Sequence, residues 1–243
     1  MRFHIISMAV AFMILCGCTS ERPTAFRQEE TPIPGTPGGN DGYYGMLYVS
    51  DGQELRTGHE LEMDDNDVNA CLVDRGGILM LENIQIMKSG DATGMVVSGG
   101  GHAACAVRNG GKLYFNGKGS IFTDGYGAHG IYGEGKQTRI EAEDLELETR
   151  GDTSAGIFLI HGAHAVLKNG SVTTRSENAP CVLISENSEL DGERVSMASP
   201  ETVIEVLGGV PKIRLVNSQI EGNISINEEA GLNLNLTGTK WHG

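Results

Sequence analysis

The sequence predicts an all-β solenoid, a single-stranded parallel β-helix of about eight coils. Three observations predict it. The 243 residues hold 35 glycines but only 5% aromatics, a composition of many tight turns around small aliphatic side chains. A similar unit recurs from Leu47 onward, and apolar and polar residues alternate with period two, with no comparable stretch of helical period.

The chain starts with Arg2 and His4 ahead of an apolar run from Ile5 to Leu15, closed by Leu15-Cys16-Gly17-Cys18. Such a run is too short to span a membrane and has the build of a secretory signal. The Leu-x-Gly-Cys ending resembles the lipobox of bacterial lipoproteins. That resemblance implies a signal at 1–17 and acylation of Cys18, because Gly17 precedes it whereas bulky Leu15 precedes Cys16. An ordinary cleaved signal with two incidental cysteines is the alternative. Residues 18–43 contain Pro23, Pro32, Pro34 and Pro37 and little apolar content, as expected of a solvated linker. The expected location is the cell envelope, at the outer membrane, since Thr19 is no inner-membrane retention cue.

Eighteen Lys and Arg face 32 Asp and Glu, and only Arg2 is lost with the signal, so the mature charge is 17 − 32 = −15. An acidic surface without a basic cluster repels phosphate backbones and anionic membrane surfaces. Nucleic acid is excluded as an expected partner, which leaves the lipid as the membrane attachment.

The repeat occupies 44–243. Leu47, Cys71, Cys105, Ile131, Ile157, Cys181, Val203 and Ile224 open successive units at spacings of 24, 34, 26, 26, 24, 22 and 21. Each unit continues into a second strand, such as Leu79-Met80-Leu81-Glu82 or Ala165-Val166-Leu167-Lys168. A third strand follows, as in Leu145-Glu146-Leu147-Glu148, whose leucines face one way and glutamates the other. One coil alone buries too little to offset the entropy of ordering it, so the coils must share an interior, eight of them making a rod of ~38 Å.

Between second and third strands stands an Asn or Asp: Asn83, Asn116, Asp144, Asn169, Asp191 and Asn217. Asn adopts the left-handed backbone that a sharp bend needs. Stacked residues of this type are also expected to form a ladder along the rod.

The turn–strand–Asn–strand pattern resembles the right-handed parallel β-helix of pectate lyases and of pertactin-like autotransporter passengers. Gly151-Asp152-Thr153-Ser154-Ala155-Gly156-Ile157 with Leu167-Lys168-Asn169-Gly170-Ser171-Val172 is similar to the passenger repeat, and Leu215 to Gly222 and Leu236 to Trp241 resemble its later coils. The resemblance implies the fold and a right-handed winding. An open last coil would expose unpaired strand edges, inviting end-to-end assembly.

The long spacing between Cys71 and Cys105 puts an insertion at Ser89 to His102, expected as a protruding loop. Those two cysteines fall at matching places on adjacent coils. A disulfide is open by distance, and small buried thiols are the simpler reading, because Cys181 holds the same column without a partner. No zinc spacing, catalytic triad, phosphate loop or calcium repeat appears, so no cofactor, metal or catalytic residue is assigned.

One lateral stripe of mixed polarity is expected on the wall of the rod: Asp74, Arg75, Arg108, Asn109, Glu134 and His161. Tyr114, Phe115, Tyr126, Tyr132 and Phe158 cluster in the same coils and are read as core, with any exposed member available to stack on sugar. The expected function is an envelope-anchored, adhesin-like binding or structural domain without catalysis, meeting a host or cell-surface glycan or protein. The alternative is a polysaccharide lyase or hydrolase acting on acidic glycans.

Overall fold

In a computed structural model, residues 27–28, 38–40, 42–58, 60–93 and 102–243 are described, and among them every regular element is a β-strand. Eight coils wind parallel to one another, each offering one strand to each of three faces. The first face is built from Tyr43–Ser50, Asn69–Asp74, Ala103–Arg108, His129–Glu134, Ile157–Ile160 and Val182–Ser185. The second runs from Gln53–Thr57 through Ile78–Glu82, Lys112–Asn116, Arg139–Glu143, His164–Lys168, Glu189–Glu193 and Lys212–Val216 to Asn233–Thr237. The third holds Glu60–Met63, Gln85–Lys88, Gly119–Thr123, Leu145–Thr149, Ser171–Thr174 and, last, Lys240–His242. Ser196–Gly208 and Gln219–Ile226 each pass unbroken from the third face to the first, so those faces merge at the C-terminal end.

Alternation decides what faces inward. On the second face Leu79, Leu113, Ile140, Ala165, Leu190, Ile213 and Leu234 stack in register. The third face stacks Ile86, Ile121, Leu147, Val172, Met197, Ile220 and Trp241. Apart from the exposed Trp241, these columns form one core, in which Ile224 is partly buried. In its middle coils the first face is buried on both sides. Its inner Cys71, Cys105, Ile131 and Ile157 join the core, while its outer Leu72, Ala106, Tyr132 and Phe158 form a second apolar cluster with Tyr43 and Tyr48 against it. Strands covered on both sides need apolar residues at every place, and those of Asn69–Asp74 and Ala103–Arg108 are buried throughout.

Two expected coil starts move by one residue. Ile157 pairs with Val182, not Cys181, and Val182 pairs with Ile204, not Val203. Cys181 and Val203 are themselves fully buried one step earlier, at the corner, which makes the two choices look alike in sequence. The expected linker contributes Arg27–Gln28, paired with Glu54 and Leu55, and Gly38–Asn40, antiparallel to Tyr43–Gly45. Cys18 and residues 94–101 of the expected loop lie outside the described residues.

Several buried polar groups are satisfied by the turns. Thr123 and Thr149 donate to the carbonyls of Ala128 and Ser154, both at 2.8 Å. One coil earlier the same column holds Lys88, whose Nζ donates to the carbonyls of Asp65 and Gly90 at 3.3 and 3.0 Å. Burial pulls this ammonium below its ordinary value against the attraction of Asp67, Asp91, Asp65 and Asp64. Where the third face passes to the first, the Asn69 side chain accepts the Ala103 amide at 2.8 Å, and His129 Nδ1 accepts the Ala155 amide at 3.0 Å. Cys71, Cys105 and Cys181 are free, buried thiols; burial pushes Cys105, beside Cys71, well up and Cys181 to about 12.

His129 makes stability depend on pH. Burial, with His102 a smaller cause, lowers it from 6.5 to about 4, so only the unfolded chain takes up a proton between those values. Its contribution is complete above the unfolded value and falls by about 3 kcal/mol as pH drops through that window. His129→Asn, which retains an acceptor as at Asn69, is expected to remove most of that slope in denaturant titrations from pH 7 to pH 4; an unchanged slope contradicts the assignment.

Candidate functional site

Two corners of the rod turn through left-handed backbone. The first, between the first and second faces, uses Asp51, Arg75, Asn109, Gly135, His161, Glu186 and Gly209, with φ from 49° to 92°. The second, between the second and third faces, uses Gly58, Asn83, Gly117, Asp144, Asn169, Arg194, Asn217 and Gly238, with φ from 51° to 74°. Amide-to-carbonyl bonds from Asn83 to Asn116, Asp144 to Lys168, Asn169 to Glu193, Arg194 to Val216 and Asn217 to Thr237 hold successive bends in register.

The expected stripe resolves into two columns at the first corner. Arg75, Asn109 and His161 are the bend residues themselves, and His161 Nδ1 lies 2.8 Å from Glu186 Oε2 on the next coil. Asp74, Arg108 and Glu134 end the first-face strands and point outward, but Asp74 is fully buried and Arg108 only 9% exposed. Arg108 Nε stands 4.0 Å from Asp74 Oδ1 and 3.8 Å from Glu134 Oε2, under a Tyr43 ring whose centroid is 3.7 Å from the guanidinium carbon. Asp74 Oδ1 accepts from the Arg75 amide and from Asn109 Nδ2, each at 2.8 Å. Burial and then Glu134 push the Tyr43 hydroxyl up. This is a closed charge cluster rather than an open wall.

Four expected ladder residues, Asn83, Asp144, Asn169 and Asn217, do stand at the second corner. Two do not. Asn116 ends its strand opposite Glu82, and the bend passes to Gly117; Asp191 lies in mid-strand between Val166 and Arg214, and the bend passes to Arg194. Asp191 instead joins a relay over the second face. Arg139 Nη1 donates to His164 Nδ1 at 3.0 Å, which leaves the proton on Nε2, 3.0 Å from Asp191 Oδ2, while Arg214 Nε donates to Asp191 Oδ1 at 2.9 Å. Burial raises the Asp191 carboxyl, yet the bonds from Arg214 and His164 outweigh it and hold the group below its ordinary value.

The ladder residues line an open groove along the second corner, a role that counting turn residues does not reveal. Its first stretch, about 580 Å³, is lined by Asn83, Gln85, Lys118, Ser120, Asp144, Glu146, Asn169 and Ser171. A second stretch of about 340 Å³ continues it with Arg194, Ser196, Asn217, Ser218, Gln219 and Lys240. The floor is one outward column of the third face: Gln85, Ser120, Glu146, Ser171, Ser196, Gln219 and Lys240 pair in strict succession. Its steps are ~4.8 Å, set by strand pairing. The detectable sequence signal was the polar residue two places after each bend, as in Asn83-Ile84-Gln85, Asn169-Gly170-Ser171 and Asn217-Ser218-Gln219. Lys118 is one extra residue in its coil, since Asn116 ends its strand and Gly119 pairs with Leu145, and that insertion places it in the groove.

The lining is amides, hydroxyls and a few charges of both signs, with no aromatic side chain. Of the clustered aromatics, Phe115, Tyr132 and Phe158 are buried and Tyr126 is exposed. Among the described residues no group of three or more His, Cys, Asp or Glu could hold a metal ion, and no helix is long and apolar enough to cross a membrane. Comparison with protein-family models, with curated proteins and with solved structures finds no match to this chain, so geometry alone argues for the groove.

Proposed function

We propose that this protein is a lipid-anchored envelope component whose solenoid binds a linear glycan lengthwise in the second-corner groove, without turnover. The observation that carries the reading is the groove floor, one polar side chain per coil over seven consecutive coils. A polymer with repeating hydroxyls meets a hydrogen-bonding group at every step, each contributing modestly and the row contributing together. The anchor rests on Leu15-Cys16-Gly17-Cys18, and the acidic surface elsewhere supports solubility once tethered.

A second reading, a lyase or hydrolase, draws on one place in the groove. Asp144 and Glu146 line it together, with Lys118 from the preceding coil. Acid–base work on a glycosidic bond needs carboxylates on both sides of the bond or a base beside clustered acids. New unsaturated or reducing ends from acidic polysaccharides would favour that reading over binding alone.

The test uses the full chain with Cys18→Ser, titrated against a panel of cell-envelope and extracellular polysaccharides. Ser171→Phe fills the groove from an outward place that the core does not use. It is expected to weaken glycan binding about tenfold or more at an unchanged thermal midpoint, whereas His161→Ala at the first corner leaves binding as it was. Retained affinity in the Ser171→Phe protein would rule out this groove.

A further inference from the structure

We propose that Arg194 is the gate that divides this groove and so sets the length of glycan it accepts, an inference that rests on the glycan reading above. Three independent observations carry it. The first is conformational. At the second corner every other bend residue is Gly, Asn or Asp, and Arg194 alone places a long side chain there, at φ 54°. Residues outside that group are disfavoured in left-handed backbone.

The second is the reach of the guanidinium. Nε donates to Asn169 Oδ1 on the preceding coil at 2.7 Å, and Nη1 pairs with the neighbouring Glu193. The third is the place where this happens. The first stretch of groove ends on Asn169, Gly170 and Ser171, and the second begins on Arg194, Val195 and Ser196. The Arg194–Asn169 bond joins the lining of one stretch to that of the next, and the guanidinium stands at the edge of the floor where Ser171 gives way to Ser196.

The side chain is 53% exposed and takes no part in the core, so it swings aside at the cost of one hydrogen bond and one exposed ion pair. A short glycan occupies the coils from Asn83 to Ser171 and leaves the gate shut. A longer one must displace Arg194 from Asn169 before it gains contacts with Ser196, Asn217 and Gln219. The device selects by length, because extra contacts begin only after the gate has opened.

The experiment is calorimetric titration of the Cys18→Ser protein, with and without Arg194→Asn or Arg194→Lys. Linear β-1,4-linked N-acetylglucosamine oligomers, from disaccharide to octasaccharide, are the probe. Asn suits the bend, so Arg194→Asn is expected to keep or raise the thermal midpoint. With Arg194 or Lys at the gate, affinity stops rising once the first stretch is filled. With Asn it continues to rise, and the octasaccharide binds about fivefold to tenfold tighter than to the unsubstituted chain. Identical length profiles in all three, or weaker octasaccharide binding by Arg194→Asn, would overturn the gate while the groove reading stands. No binding of any oligomer to any of the three would reject the gate as a selector of these chains, while the groove reading stands or falls on the polysaccharide panel.

Discussion

Everything in this molecule depends on coils pairing in parallel and in register. Each strand bonds to the strand directly above and below it, so a residue type at one place in a coil is compared at every turn with its counterparts at ~4.8 Å. Inside, that constraint produces columns such as Leu79–Leu113–Ile140 and Ile86–Ile121–Leu147. Outside, it produces rows of polar groups with the same period. Corners change length where a residue is added, as at Lys118, or where the strand runs through the corner, as in Ser196–Gly208.

The corners convert this constraint into a surface. Left-handed bends at Asn83, Asp144, Asn169 and Asn217 satisfy the backbone of the next coil and leave their side chains at the edge of a groove. Asn83 Oδ1 lies 2.7 Å from where a Cβ would stand on Gly117, and Asn217 Oδ1 2.4 Å from the same place on Gly238. Glycine above these two asparagines leaves their amides room, whereas above Asn169 the Arg194 side chain is accommodated by the bond from its Nε to Asn169 Oδ1. The same residues serve folding and recognition, which is why groove substitutions are best made on the floor, at Ser171 and its neighbours, rather than at the bends.

Much of this was legible in the residues. Period-two alternation and the recurring unit disclose the solenoid, and Leu47, Cys71, Cys105, Ile131 and Ile157 stand in one column as spaced. Register failed where two adjacent apolar residues were both buried, as at Cys181-Val182 and Val203-Ile204, because burial at a corner mimics burial in a strand. It failed again where residue type was trusted over pairing: Asn116 and Asp191 are turn formers by type, yet Gly117 and Arg194 make those bends. The stripe from Asp74 to His161, read as one row on the wall, stands as two columns at the first corner, and alternation cannot foresee that Tyr43 covers Arg108. The groove escaped notice because its shape is a property of all coils together.

A distance along the rod tests the in-register stacking most directly. Spin labels at Gln85 and Lys240, both exposed and six pairing steps apart on the groove floor, should report a single narrow distribution centred at about 29 Å by dipolar spectroscopy. A broad distribution, or a centre well away from that value, would mean that the coils do not stack as one straight column and that no continuous groove exists.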